Sequence, residues 1–135
     1  MAYKIDEIEG IGPAFREKLH GAGIDTTDDL LEQCAKPTGR KQIAETTGLS
    51  EKHILNWTNM ADLMRVSGIG RQYAELLEAS GVDTIKELRH RNAENLAAKM
   101  EEVNTEKNLA NATPAQSIVE DWIAKAKDTD PLIEY

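Results

Sequence analysis

The chain has 135 residues, of which 40% are hydrophobic and 30% are charged, and its formal net charge is −8. This composition is typical of a soluble globular protein with one domain or two small modules, and the acidic balance argues against strong nonspecific binding to nucleic acid. No apolar run approaches the roughly 20 residues of a membrane-spanning helix, and the polar N-terminus does not resemble a signal peptide.

Helix signals dominate the first half of the chain, where glycines, a proline and capping residues mark the predicted helix ends. Pro13 fits a first helical position and Gly48 fits a C-cap. Asp25–Thr27 and Ser50 supply N-caps, and Lys36–Gly39 is predicted to be a loop. The predicted helices are Tyr3–Ile8, Pro13–Ala22, Asp28–Cys34, Arg40–Thr46 and Glu51–Arg65.

The second half follows the same order. Thr84 fits an N-cap that forms a capping box with Glu87, and Asn92 caps the next helix. The polar segment Asn104–Ala112 is predicted to be a turn with a short helix, after which Thr113-Pro114 caps the last helix. The predicted helices are Arg71–Ala79, Ile85–His90, Ala93–Glu102 and a final helix that ends at about Lys127.

The order is the same because the sequence repeats itself. Between Ile8–Leu31 and Val66–Arg89, at a spacing of 58 residues, nine of 24 positions are identical. The Gly-Ile-Gly of residues 10–12 returns at residues 68–70. A repeat at a fixed spacing indicates one structural unit that is used twice.

The last helix of each half also matches, at a spacing of 65 residues. Trp57 pairs with Trp122, and the flanking Ile54 and Ala61 pair with Val119 and Ala126. The i, i+3, i+7 spacing places each trio on one helix face, so both tryptophans are predicted to be core anchors. The alternative is an exposed tryptophan that stacks on a base. The change in spacing predicts an insertion near residues 104–112.

The Gly-Ile-Gly turn has a physical use between two helices. Glycines adopt backbone angles that other residues avoid, which allows a very tight turn, and the isoleucine can fill the gap behind it. The helix that follows then presents unpaired N–H groups and the positive end of its dipole, which together suit one phosphate.

Both turns resemble the helix-hairpin-helix motif, on the residues Ile8-Glu9-Gly10-Ile11-Gly12-Pro13 and Val66-Ser67-Gly68-Ile69-Gly70. That family binds the DNA or RNA backbone through hairpin amides, and some members hold a monovalent cation with hairpin carbonyls. The layout also resembles five-helix, sterile-alpha-motif-like (SAM-like) modules and the domain-of-unknown-function family numbered 4332. The resemblance implies an all-α fold of two tandem five-helix modules, residues 1–64 and 65–135, packed as a pseudo-repeat with no flexible linker.

The resemblance implies phosphate contacts at both hairpins. The charges of the neighbouring residues indicate which hairpin is the better candidate. Arg65 and Arg71 flank the second hairpin, whereas acidic residues precede the first and would repel a phosphate. The favoured residues are Gly68, Ile69, Gly70, Arg65, Arg71 and Gln72, and the weaker set is Gly10, Ile11, Gly12, Arg16 and Lys18. The alternative is that each hairpin is only a tight turn that packs helices.

Other polar groups carry weaker signals. The clusters Lys36/Arg40/Lys41 and Arg89/His90/Arg91 either complement helix C-termini or form a phosphate track. The three histidines are isolated in sequence, so no metal or catalytic role is expected. Cys34 is the only cysteine, so the chain cannot form an internal disulfide. We expect Cys34 to be a small residue on a helix face, in a protein of the reducing cytoplasm.

The leading hypothesis is a non-catalytic module that contacts a nucleic-acid backbone, DNA or RNA, through the second hairpin. The alternative is a protein–protein adaptor without nucleic-acid contact, for which the acidic surface would suit a basic partner. No catalytic, Walker, metal or dinucleotide pattern is present, so we expect no enzyme activity, cofactor, small-molecule substrate or membrane partner.

Overall fold

A computed structural model describes residues 3–135. Within that range it contains eight α-helices, a 3-10 helix at Ile5–Glu7 and no β-strand, so the predicted all-α class is confirmed. The α-helices in chain order are α1 (Pro13–Gly21), α2 (Thr27–Cys34), α3 (Pro37–Thr47), α4 (Glu51–Leu63), α5 (Arg71–Ala79), α6 (Ile85–Leu88), α7 (Ala93–Lys107) and α8 (Gln116–Lys127).

Five predicted helix ends are confirmed by the capping geometry, whereas the helices predicted to end at Arg65 and His90 end earlier, at Leu63 and Leu88. The side chains of Thr26, Ser50 and Asn92 accept hydrogen bonds from backbone N–H groups in the first turns of α2, α4 and α7. Gly48 ends α3 in the left-handed conformation, with φ of 77°. Thr84 caps α6 through the Glu87 N–H. Local capping chemistry therefore sets these boundaries.

The predicted loop at Lys36–Gly39 is wrong, because α3 already begins at Pro37. Proline is well suited to the first helical position, where its missing N–H would have no partner. Gly39 serves close packing there: a Cβ on it would lie 1.9 Å from the carbonyl oxygen of Gln33. The predicted helix Tyr3–Ile8 is likewise reduced to the 3-10 turn, because Ile8 is extended.

The predicted turn at Asn104–Ala112 begins too early, because α7 continues to Lys107. Asn104 lies in the last turn of α7, where its amide side chain organises the loop that follows. Its Oδ1 accepts from the Ala110 N–H at 2.8 Å, and its Nδ2 donates to the Ala110 carbonyl at 3.1 Å. The last helix begins at Gln116 with Ala115 at its N-cap, so Thr113-Pro114 does not cap it.

The core is aliphatic with two aromatic anchors. Trp57 and Trp122 are 5% and 1% exposed, which confirms both as core residues. Helix α4 packs on α2, α3 and α5, and α8 packs on α6 and α7. Cys34 is fully buried, and this burial raises the pKa of its thiol to about 11.

Several hydrogen bonds join the first half of the chain to the second. The Arg71 guanidinium donates to the carbonyl oxygens of Asp6 and Glu7. Asp62 Oδ2 accepts from the Ile85 N–H at 2.8 Å. Near the C-terminus, the Glu134 N–H donates to the Ala35 carbonyl at 2.7 Å. These bonds connect the first hairpin region with α5, α4 with α6, and the end of α2 with the C-terminal segment.

Candidate nucleic-acid interface

The two hairpins have nearly the same backbone. Gly10 and Gly68 are left-handed, with φ of 95° and 98°. The Ile11 N–H donates to the Ile8 carbonyl at 3.1 Å, and the matching bond from Ile69 to Val66 measures 3.0 Å. Ile11 and Ile69 are 4% and 0% exposed, so each isoleucine fills the gap behind its turn.

Each hairpin rests on a tryptophan. A Cβ on Gly68 would lie 3.1 Å from Trp122 Nε1, and a Cβ on Gly10 would lie 3.6 Å from Trp57 Nε1. An aromatic ring from the next helix packs on each indole, Phe15 on Trp57 and Tyr73 on Trp122, with centroids 5.2 and 5.1 Å apart. The positive φ therefore favours a glycine at the first position of both turns, and the tight contact with Trp122 adds to this requirement at Gly68 alone.

The second glycine of each hairpin faces open space. A Cβ on Gly12 or Gly70 would meet nothing within 4 Å beyond its chain neighbours, among the described residues. Each of these glycines is an N-cap that has no side chain with which to cap its helix. The first-turn N–H groups of α1 and α5 are thus left to solvent or to a ligand.

The first turns of α1 and α5 differ by one backbone N–H donor. Helix α1 begins with Pro13, which has no N–H, whereas α5 begins with Arg71, whose backbone N–H is intact. An anion at the second hairpin would therefore meet one more backbone donor than an anion at the first. The prediction from sequence weighed flanking side chains and overlooked this backbone difference, although Pro13 is visible in the sequence.

The Arg71 side chain points toward the first hairpin region. Its Nε donates to the Glu7 carbonyl at 3.0 Å and lies 3.4 Å from Glu9 Oε2, and its Nη2 donates to the Asp6 carbonyl. The side chain is still 47% exposed. Arg71 thus acts as a link between the hairpins, and part of its guanidinium remains open to solvent.

Arg65 and Gln72 are also held by the protein itself. Arg65 Nη1 donates to Asp62 Oδ1 and to the Asp130 carbonyl, both at 2.9 Å, and its side chain is 20% exposed. Gln72 Oε1 accepts from the Asn111 N–H at 3.2 Å. Arg65, Arg71 and Gln72 thus flank the second hairpin in sequence, but each side chain already has an intramolecular partner.

The weaker set around the first hairpin is surrounded by acids. Arg16 lies 3.5 Å from Asp6 and is 59% exposed, and Lys18 is exposed near the end of α1. Glu7 and Glu9 are exposed close to the turn. The carboxylates predicted to repel a phosphate thus lie beside the hairpin.

A groove that sequence reasoning missed lies between the first hairpin and α5. Its volume is about 410 Å³, and its lining includes the apolar Trp57, the carboxylates of Glu9, Glu75 and Glu78, and one cation, Lys107. Burial, and then the charges of Glu9 and Glu78, raise the pKa of Glu75. Burial, and then Asp83, raise the pKa of Glu78. The i, i+3 spacing of Glu75 and Glu78 in the sequence could have indicated that the two carboxylates lie on one face of α5.

The other basic clusters mainly bind carbonyl oxygens near helix ends. Arg40 is 6% exposed and donates to the carbonyls of Cys34 and Ala35, both at 3.0 Å. Arg89 donates to the Lys127 carbonyl at 2.7 Å, and Arg91 donates to the Gly81 carbonyl at 3.3 Å. These contacts match the first of the two alternatives, in which the cations complement helix C-termini.

Residues 3–135 hold no group of three or more His, Cys, Asp or Glu side chains arranged to bind a metal ion. Over the same range, each helix is too short or too polar to cross a membrane.

Comparison with known proteins finds one family. The family model described as "Domain of unknown function (DUF4332)" matches residues 9–129, which include both hairpins and both tryptophan helices. No curated protein and no solved structure matches the chain significantly.

Proposed function

The chain belongs to the family DUF4332, a domain of unknown function, and we propose that it is a non-catalytic module that binds a nucleic-acid backbone without reading sequence. The second hairpin is the leading contact. Its support is the start of α5, where Gly70 faces open space and the first-turn N–H groups have no side-chain cap. Backbone donors at the positive end of a helix dipole suit a phosphate oxygen.

We further propose that the fold is a tandem pair of SAM-like helix-hairpin-helix modules, with a boundary between residues 64 and 65. The paired geometry supports this division. The hairpin glycines share one φ region, and each hairpin rests on the tryptophan of the last helix in its half. The predicted count of five helices per module is replaced by a 3-10 turn and four α-helices in the first half and four α-helices in the second.

The amides, rather than the arginines, carry most of the proposed contact. Arg65 and Arg71 are bonded to the protein, so each offers a phosphate only its remaining donors. With few phosphates contacted and a net charge of −8, affinity should be weak and its salt dependence shallow. We expect a log–log slope of about −1 to −3 against salt concentration.

Gly70 allows a matched test of the second hairpin. Its φ of −99° suits any residue and its Cβ direction is open, so Gly70→Glu and Gly70→Gln should both fold. Fluorescence anisotropy with labelled duplex, single-stranded and junction DNA at low salt measures binding. Gly70→Gln controls for side-chain bulk at the site, and Gly70→Glu should bind at least about tenfold more weakly than Gly70→Gln because its carboxylate faces the phosphate.

A third variant ranks the hairpins. Gly12→Glu places the same charge at the first hairpin, where the site is also open. We expect a smaller loss than for Gly70→Glu. Absence of wild-type binding at tens of micromolar protein would contradict the proposal, and so would equal binding by Gly70→Gln and Gly70→Glu.

The acidic groove supports a second candidate function, a protein–protein adaptor for a basic segment. Glu9, Glu75 and Glu78 surround an apolar floor that includes Trp57, which suits the stem and charge of a lysine or arginine side chain. A pull-down that recovers a defined basic protein, before and after nuclease treatment, would favour this function. Glu75→Gln with Glu78→Gln should then weaken recovery, whereas the exposed Glu94→Gln should not.

A further inference from the structure

The segment after α8 folds back onto the first half of the chain as an extended strap, residues 130–135. The Glu134 N–H donates to the Ala35 carbonyl at 2.7 Å, and the Glu134 carbonyl accepts from Arg40 Nη2 at 2.7 Å. The Asp130 carbonyl accepts from Arg65 Nη1. All three bonds use backbone atoms of the strap, which is how proteins commonly recognise an extended peptide.

The surface beneath the strap is built in advance by α2 and α3. Arg40 is 6% exposed, and its Nη1 is held by the carbonyls of Cys34 and Ala35, which directs Nη2 toward the strap. The Ala35 carbonyl and Arg40 Nη2 thus form an acceptor and a donor side by side. Without a peptide, the Ala35 carbonyl would keep only its bond from Arg40 Nη1, and Arg40 Nη2 would be left to solvent.

Side chains of the strap fit beside this backbone pair. Leu31, Ala35 and Arg65 line a groove of about 590 Å³, to which Pro131 and Leu132 contribute. The Tyr135 hydroxyl is 3.3 Å from Asn59 Oδ1, and the Arg40 guanidinium lies 6.0 Å from the Tyr135 ring centroid. The surface beneath the strap therefore contacts a backbone N–H and C=O pair and then an aromatic residue, and the apolar Leu132 lines the open groove beside them.

The strap is held loosely enough to leave. Leu132 is 42% exposed and Tyr135 is 69% exposed, so little apolar surface is buried by its largest side chains. Few hydrogen bonds hold the segment, and short exposed segments of this kind open readily in native proteins.

We propose that the surface beneath the strap, formed by Leu31, Ala35, Arg40 and Asn59, is a docking site for an extended segment of a partner protein. The chain's own strap occupies this surface as a competitor. The partner segment carries the pattern of residues 132–135, an apolar residue followed three positions later by an aromatic one. The site is separate from the hairpins and does not depend on nucleic-acid binding.

The test opens the strap in the full chain and supplies the peptide separately. Glu134→Pro removes the N–H that bonds Ala35, whereas Glu134→Ala keeps it and serves as the matched control. The ring-proton NMR chemical shifts of Tyr135, which packs near Arg40 and Asn59, should move to random-coil values in Glu134→Pro and stay unchanged in Glu134→Ala. A fluorescein-labelled peptide of residues 128–135 then reports binding by anisotropy.

We expect Glu134→Pro to bind this peptide with a Kd of the order of 100 μM, and the wild type and Glu134→Ala to bind at least about tenfold more weakly. The difference arises because a tethered strap competes at an effective concentration in the millimolar range. A peptide N-methylated at the position of Glu134, or with alanine at the position of Tyr135, should bind poorly.

Three results would overturn the proposal. In the first, the strap of Glu134→Pro is released but the variant does not bind the peptide at concentrations up to about 1 mM, which is of the order of the expected effective concentration. A second is equal binding of a scrambled peptide. The third is dimerisation of the wild type by exchange of straps, seen in light scattering, because the occupant would then be a second copy of this chain.

Discussion

The two hairpins share a backbone and differ in what precedes them. A 3-10 turn leads into the first hairpin, whereas the long helix α4 leads into the second. The first hairpin thus follows a short acidic segment, and the second follows α4, which ends at Leu63, two residues before Arg65. The same turn is therefore placed in an acidic setting in one copy and in a mixed setting in the other.

One hydrogen bond illustrates what this difference requires. In the first half, the Thr27 N–H at the start of α2 donates to the Tyr3 carbonyl at 2.9 Å. In the second half, the matching Ile85 N–H at the start of α6 donates to the Asp62 carboxylate at 2.8 Å. A carboxylate replaces a backbone carbonyl because α4 uses its carbonyls within the helix. The second half therefore keeps the hydrogen bond to the first N–H of its helix, but it does so by burying the Asp62 carboxylate.

Removal of that carboxylate should have the largest effect. Asp62 is 1% exposed and accepts from both Ile85 and Arg65, so Asp62→Ala leaves the buried Ile85 N–H without a partner and removes one of the two acceptors of Arg65. We expect a loss of about 3 to 4 kcal/mol in the free energy of unfolding. Chemical denaturation measures it, and a loss below about 1 kcal/mol would show that α6 does not depend on this bond.

The pH dependence of stability provides the control. Burial raises the pKa of Asp62 above 3.8, against the effects of Ile85 and Arg65. The folded chain then holds this proton to higher pH than the unfolded chain. Stability should therefore fall as pH rises from about 3.8 through the folded-state pKa, and the cost persists above it. Asp62→Asn should reduce this slope, while Glu75 and Glu78, whose pKa values are also raised, leave a residual slope.

The next largest effect compares the first glycines of the hairpins. Gly68→Ala forces an alanine to φ of 98° with its Cβ 3.1 Å from Trp122, which is only 1% exposed. We expect a loss of about 2 to 3 kcal/mol. Gly10→Ala has similar φ but a 3.6 Å contact with Trp57, so its loss should be nearer 1 to 2 kcal/mol. Equal thermal and denaturant stabilities for the two variants would contradict the difference.

Much of this architecture could be predicted from local signals. Thr26, Ser50, Asn92 and Gly48 mark helix ends by chemistry within a few residues, and the tryptophan stripe indicates burial through its 3.6-residue period. Gly39 could not be placed, because its role depends on the Gln33 carbonyl of another helix.

The candidate site was less accessible to sequence reasoning than the fold. The Gly-Ile-Gly turn predicts the hairpin position, but the partners of Arg71 lie 64 and 65 positions away. Arg65 has one partner that is equally distant in sequence, Asp130. The sequence alone therefore suggests that Arg65 and Arg71 are free to bind a phosphate, and only the tertiary structure shows their partners within the protein.

The smallest expected effect concerns the pair that joins the hairpins. Arg71 and Glu9 lie 3.4 Å apart and each side chain is 47% exposed, so their coupling should be about 0.5 kcal/mol in a double-mutant cycle of stability with Arg71→Gln and Glu9→Gln. Binding provides a second cycle. Glu9→Gln frees part of the Arg71 guanidinium and should tighten DNA binding about twofold to threefold, but only when Arg71 is present. If Glu9→Gln tightens binding equally in the Arg71→Gln background, the acid acts through the general field of the first hairpin, and the link between the hairpins has no part in binding.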